Sequence, residues 1–244
     1  MNVYLYQNNT EKILKNAYIG EVWTPWDNTV AYYKFDWDTK DYSWNWLDLT
    51  AYNITYNTIA SWNSCAYFNW ASAYALNTTI DKTLSWWTQN IRVKKYRNNS
   101  DEVICQIAIT PQWQITWDWW WIIRSTSTQT GNISHTLYYN NFVFEAVNNT
   151  WIANWTWMNV VAVAWSSGNK LYINWQQVTA TYNYWNSSTS FWSIRFNRLS
   201  AWRHQHVSAQ YAQCELSNRI LENREWTAKE VQDYYNLTKS NYWL

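Results

Sequence analysis

The sequence predicts an all-β protein, a two-sheet antiparallel sandwich with one short C-terminal helix, and three observations carry that expectation. Short runs rich in Val, Ile, Tyr, Phe and Thr recur along the chain. Clusters of Asn, Asp, Ser and Thr separate them at the spacing of a sandwich rather than of βαβ units. A single segment near the C-terminus combines a helix start signal with apolar residues at helical intervals.

Taken in order, the expected strands begin with 30–35, a Val/Tyr/Phe run that ends in an Asp-rich turn. Runs 65–68 and 73–78 flank the turn-forming pair Asn69-Trp70. Run 90–95 alternates Ile91 and Val93 with Arg92 and Lys94, as a half-buried strand does. Runs 103–109, 122–125 and 158–164 are rich in Val and Ile, 136–146 in Tyr and Phe, and 177–182, 191–196 and 207–216 complete the set after 170–173. So many strands need two packed sheets. The clearest piece is Lys170 to Val178, where Leu171 and Ile173 share one face and Asn174-Trp175 turns the chain back. Thr227-Ala-Lys-Glu230 has the capping-box spacing, and Val231, Tyr234 and Tyr235 follow on one helical face.

The turns pose a chemical problem, because the chain has 24 Trp and only 3 Gly. Average usage would put Gly at ~7%. Trp follows Asn or Asp at Asp36-Trp37, Asn45-Trp46, Asn69-Trp70, Asp118-Trp119, Asn154-Trp155 and Asn174-Trp175. Written with glycine, each pair becomes the strongest short hairpin signal, because type I′ turns need positive φ and tryptophan resists it. The pattern fits glycine codons read under the wrong genetic code: UGA is one base from GGA, and some bacterial lineages and their phages read UGA as glycine. The source implied is an uncultured bacterium or its phage. The suspected glycine positions are Trp37, Trp44, Trp46, Trp62, Trp70, Trp119, Trp155, Trp175, Trp185, Trp192, Trp202 and Trp243. Trp157, heading an apolar run, and Trp226, just before the helix, read as true tryptophans; Trp23 and Trp26 beside Pro25 stay open. The alternative is a truly Trp-rich protein with stacked indoles for sugars or membrane interfaces, whose rings should recur at strand or helix spacing.

Charged residues are 14% of the chain with a net charge of +1, which argues against nucleic acid as a partner. The densest basic stretch, Arg92 to Arg97, reads as a solvated strand edge. Cys65, Cys105 and Cys214 are odd in number and widely spaced, so neither a zinc site nor a disulfide framework is expected. No stretch reaches the ~18 apolar residues of a membrane span once the tryptophans are discounted. Residues 1–10 lack the basic and apolar regions of a signal peptide.

With glycine in place of the suspect tryptophans, four ordered segments carry a resemblance: 30–46, 66–74, 157–178 and 218–236. Together they resemble the laminin-G-like jelly-roll family of the concanavalin A-like lectin/glucanase superfamily. The resemblance implies a jelly roll over 29–244, with 1–28 as an N-terminal extension or attachment segment. It is loosest over 82–147, where strand order is left open. Glucanases of that superfamily carry Glu-x-Asp-x-x-Glu on one strand, and the eight glutamates here, Glu11, Glu21, Glu102, Glu145, Glu215, Glu222, Glu225 and Glu230, form no such run.

Asp36, Asp38, Asp41 and Asn45 offer closely spaced oxygens for a calcium ion, or act as turn formers bonding nearby backbone. No other cofactor is expected. His204 and His206 lie two apart with no third ligand nearby in sequence, which reads as a surface pair. The expected function is a non-catalytic binding module for a glycan or cell-surface protein, extracellular, on a cell surface or on a virion. The alternative is a phage virion or surface structural protein that forms homo-oligomers, and the third reading is a glycoside-active enzyme with unrecognised carboxylates.

Overall fold

The computed structural model describes residues 3–7, 10–14, 28–60, 63–69, 71–96, 102–109, 119–125, 133–139, 142–148, 154–165, 168–178, 180–183, 194–201 and 213–242. The strands in chain order are β1 (Val3–Gln7), β2 (Thr10–Leu14), β3 (Thr29–Tyr33), β4 (Thr50–Tyr52), β5 (Thr55–Ala60), β6 (Asn63–Phe68) and β7 (Tyr74–Asn77). They continue as β8 (Lys82–Leu84), β9 (Trp87–Lys95), β10 (Glu102–Ile109), β11 (Trp119–Ser125), β12 (Ile133–Tyr139), β13 (Phe142–Asn148) and β14 (Trp157–Trp165). The last are β15 (Gly168–Ile173), β16 (Gln176–Gln177), β17 (Ala180–Asn183), β18 (Ile194–Phe196), β19 (Arg198–Ala201) and β20 (Cys214–Glu222), followed by helix α1 (Ala228–Thr238).

Among the described residues two large antiparallel sheets carry the fold, as the residue pattern predicts, with β8 and β18 paired apart from them. One runs β17-β13-β12-β11-β10-β19-β7-β4 and the other β16-β15-β14-β9-β20-β6-β5. In the second, β6 lies beside the first part of β20 and β3 beside its last part. Strands β1 and β2 pair with each other as a separate hairpin within the expected N-terminal extension.

The core between the sheets follows strand alternation. Met158, Val160, Ala162 and Ala164 of β14 face Ile104, Cys105, Ile123, Ile133 and Leu199 of the other sheet within one buried cluster. The opposite face of β14 is apolar too, because Val161 and Val163 pack under α1 with Tyr32, Tyr172, Ile220, Trp226, Val231 and Tyr234. A strand buried on both faces reads as a near-continuous apolar run, here 157–164 interrupted only by Asn159. The helix starts as expected: Thr227 caps it, and the Thr227 and Glu230 side chains satisfy each other's backbone N–H groups.

A bulge at Ser217 sets the polarity of β20. Its register against β9 slips between Leu216 and Asn218, so Glu215 points outward and Arg219, four residues on, points inward. Arg219 is fully buried and donates through Nη1 to the Ser200 carbonyl of the facing sheet at 3.0 Å.

Several sequence expectations need correction. The run 136–146 is two strands, β12 and β13, joined as a hairpin. Strand 30–35 ends at Tyr33, since Phe35 adopts φ 56° and its buried ring packs on Tyr33 and Phe68. The expected strand 177–182 divides into β16 and β17. Strand 207–216 is observed as β20, 214–222, with 207–212 outside the described residues. Strands β4, β5, β8 and β19 are too short or too polar to stand out in the sequence. The basic stretch at Arg92 is not an edge: β9 lies between β14 and β20, and Arg92 and Lys95 are buried. Arg92 reaches the last turn of α1, donating to the Thr238 carbonyl at 3.0 Å and to Thr238 Oγ1, with its guanidinium over the Tyr234 ring. A cation at a helix C-terminus is favoured by the helix dipole.

Buried His135 makes folding sensitive to acid. It sits on the inner face of β12 between Ile123 and Ala146, and burial lowers its pKa to about 3. The folded state therefore resists protonation that the unfolded chain accepts from about pH 6.5 downward. Stability should hold above that pH and fall between pH 6.5 and pH 3, by about 4 kcal/mol in total from this group. Urea unfolding of wild type and His135→Leu across this range checks it: the variant should lose that part of the slope.

Candidate functional site

The loop 34–49 contains the oxygen ligands singled out in the sequence, and the structure gives them bonding partners within the loop and on β3. Asp41 Oδ1 accepts from the backbone N–H groups of Tyr32 and Ser43, each at 2.9 Å. Its Oδ2 accepts from Ser43 Oγ at 2.8 Å and the Leu47 N–H at 3.0 Å. Asp38 accepts from the Lys40 N–H and the Tyr42 hydroxyl, Asp36 from the Trp37 N–H, and Asn45 donates to the Thr29 carbonyl. Among the described residues no three His, Cys, Asp or Glu side chains gather where a metal ion would sit. The arrangement fixes the backbone of a wide turn, held to the core by Tyr33 Oη–H donating to the Leu47 carbonyl at 2.7 Å.

A second constellation stands on the outer face of the β14-β9-β20-β6-β5 sheet, beside the half that α1 covers. Its hub is Glu215, whose Oε1 accepts from Tyr96 Oη at 2.5 Å and Asn57 Nδ2 at 2.7 Å. Its Oε2 pairs with Lys94 Nζ at 3.2 Å. Burial alone would raise the Glu215 pKa, but the Tyr96 and Asn57 hydrogen bonds and the Lys94 charge outweigh it and hold the carboxyl below its ordinary value. The Tyr96 hydroxyl is pushed up, by burial first and by Glu215 second. Around the hub, Tyr67 meets Tyr96 edge to face at 5.8 Å, and Gln213 Nε2 donates to Tyr67 Oη at 3.0 Å. The Lys94 ammonium lies over the Tyr96 and Trp157 rings at 5.3 and 6.0 Å. Cys65 is buried beside Trp157, and burial pushes its thiol pKa up, so it is a packed side chain rather than a nucleophile.

The sequence named none of Lys94, Tyr96, Tyr67 and Asn57 as site residues. Alternation of Ile91 and Val93 with basic residues was the available signal, since it aims Arg92 and Lys94 at the same face. The pairing of that face with Glu215 depends on the Ser217 bulge, which no local pattern announces.

Other buried acids serve the fold. Glu222 takes the Trp226 indole N–H at 2.5 Å and pairs with Arg224 at 2.7 Å. Burial raises its pKa against the lowering effect of Arg224 and Trp226. Burial also pushes the Cys105 thiol up to about 11. A shallow cleft of about 510 Å³ lies between the β15–β16 turn and α1, lined by Tyr172, Trp175, Gln176, Gln177, Lys229 and Gln232 among others. No helix among the described residues is long and apolar enough to cross a membrane.

The tryptophans separate by environment. Trp157 and Trp226 are buried, as is Trp87. Trp37, Trp44, Trp46, Trp155 and Trp175 are exposed, Trp46 by 80%. Seven non-glycine residues have positive φ among those described, and four are tryptophans: Trp44 at 71°, Trp46 at 56°, Trp155 at 66° and Trp175 at 70°. Asn174 at 48° and Trp175 make the two-residue turn between Ile173 and Gln176, the signature of a type I′ hairpin. Trp37 is not in this region, and Trp119 begins strand β11 instead of occupying a turn. Trp62, Trp70, Trp185, Trp192, Trp202 and Trp243, with His204 and His206, lie outside the described residues.

Comparison with solved structures shows the fold. Domain 4 of AbnA, a GH43 extracellular arabinanase from Geobacillus stearothermophilus in complex with arabinotriose, superposes with TM-score 0.63 at 14% identity, over 84% of this chain and 97% of that one. The binding domain of Paraclostridial Mosquitocidal Protein 1 gives 0.61 at 13% identity, over 86% and 52%. A Trypanosoma rangeli sialidase in complex with 2,3-difluorosialic acid gives 0.61 at 10%, over 89% and 34%. The chain thus spans about half of the toxin domain and a third of the sialidase. At these identities the likeness establishes the fold alone, a β-sandwich. No family model and no curated protein matches the sequence.

Removing Asp41 should expose its importance to the loop. Asp41→Ala leaves four donors without their acceptor and should cost about 3 kcal/mol in urea unfolding. Asp36→Ala, which loses one exposed contact, should stay within about 0.5 kcal/mol.

Proposed function

We propose that the domain is a non-catalytic binding module for a glycan or a glycan-bearing surface, working outside the cell or on a virion. The supporting observation is the Glu215 constellation, where aromatic rings and hydrogen-bonding groups stand together on a part of the sheet that α1 does not cover, while the carboxylate is occupied by three donors. A retaining or inverting glycosidase needs two carboxyl groups about 5–10 Å apart, free to meet the substrate. Glu215 and Glu222 are instead engaged with protein groups. Among the structural neighbours, the arabinanase domain holds arabinotriose and the toxin domains are binding domains, which agrees with this reading.

The same reading includes the identity of the turn residues. We infer that the functional protein carries glycine at most of the twelve suspect positions, because a left-handed backbone costs a side chain with a β-carbon about 1–2 kcal/mol and glycine nothing comparable. The positive φ and solvent exposure of Trp44, Trp46, Trp155 and Trp175 support it. Trp44→Gly, Trp46→Gly and Trp175→Gly should each stabilise the protein by about 1 kcal/mol in denaturant unfolding. Trp226→Gly, which empties a buried site, should cost about 3 kcal/mol or more. Protein made with glycine at the twelve positions should bind at least one structure on a glycan array; a folded protein that binds none contradicts the function.

A further inference from the structure

The outer face of the helix-bearing sheet has hydrogen-bonding capacity that its own residues do not use. Lys94 Nζ can donate three hydrogen bonds, and one goes to Glu215. Tyr67 Oη accepts from Gln213, which leaves its O–H hydrogen to donate. Asn57 and Gln213 commit their amide nitrogens to Glu215 and Tyr67, leaving their carbonyl oxygens as acceptors. Among the described residues none of these remaining groups has a hydrogen-bond partner, and the Lys94 side chain is 22% exposed. Donors, acceptors and ring faces alternating on a rigid surface match a sugar ring, which offers hydroxyls around its rim and C–H groups on its faces.

The charge on this face cancels within it. Lys94 and Glu215 form an ion pair, so among the described residues of this patch a carboxylate or sulfate on the ligand would find its cation already paired, and an added cation its anion. Trp155 also bears on the geometry. Its exposed ring stands against Tyr96 edge to face at 4.4 Å, on a backbone of φ 66°. Glycine at 155 would bare that surface of Tyr96 beside the unused groups of Lys94 and Tyr67.

We propose that this surface is the ligand site, and that it takes an uncharged sugar ring against Tyr96 and Tyr67 with hydroxyls bonded to Lys94 Nζ and Tyr67 Oη. Glu215 is a positioning residue, holding Lys94, Tyr96 and Asn57 in place. The proposal rests on the binding reading above and adds the face, the contacts and the ligand class.

The test uses an array printed with neutral and acidic glycans, followed by titration of the strongest neutral binder. The parent protein carries glycine at the twelve suspect positions. Tyr67→Phe, Lys94→Met and the parent with tryptophan kept at 155 are compared with it, and Gln232→Ala in the cleft beside α1 is the control. Tyr67→Phe removes only a hydroxyl, so it stays informative should Lys94→Met fold poorly, and thermal melts report folding for each. Neutral glycans should bind the parent, the three site variants should weaken affinity roughly tenfold or more, and Gln232→Ala should leave it unchanged. Neutral binding that all three site variants leave intact would overturn this face while the binding function stands. Binding restricted to acidic glycans would overturn the ligand class. No glycan bound at all would remove both the site and the function it rests on.

Discussion

The left-handed backbone at the turns is the constraint on which this sandwich depends. Tight hairpins between strands that twist right-handedly favour positive φ, as at 174 and 175, and the chain enters that region again at 44, 46, 53 and 155. Asparagine tolerates that region at 53 and 174. Each of the other four positions carries an indole that reaches solvent rather than core. Phe35 is the instructive contrast. It also has positive φ, but its ring is buried against Tyr33 and Phe68, so packing offsets the backbone cost.

The second organising element is a single extra residue. Without the Ser217 bulge, β20 would keep one parity, and Glu215 and Arg219 would point to the same side. With it, the acid joins Lys94 and Tyr96 on the outer face while the guanidinium bridges to the facing sheet at Ser200. The outer face is thereby divided. Helix α1 closes an apolar half through Trp226, Val231 and Tyr234, and the other half stays polar and aromatic. Arg92 stands at the boundary, tying β9 to the last turn of the helix.

Much of this was legible in the residues. The class of fold, the strand at 157–165, the hairpin at 170–178 and the Thr227 cap follow from periodicity and turn chemistry, which are local. Short strands such as β4 and β8 were not legible, because pairing with neighbours far along the chain rather than their own pattern creates them. The break inside 136–146 falls at Asn140-Asn141, a turn-forming pair that was there to read but carries no glycine or proline to stress it. The Asp-rich loop was recognised as oxygen-rich, yet only the fold shows that Asp41 turns toward three donors of its own loop and the Tyr32 N–H of β3. The outer-face site was missed for the opposite reason: its members come from β5, β6, β9 and β20, and each looks ordinary alone.

Sequencing the coding DNA tests the central claim most directly, because it reads the turn residues without reference to any fold. UGA is expected at codons 44, 46, 155 and 175, and UGG at 157 and 226. UGG at the four turn codons would contradict that claim, and the indoles would then have to be explained as genuine residues held against their backbone preference.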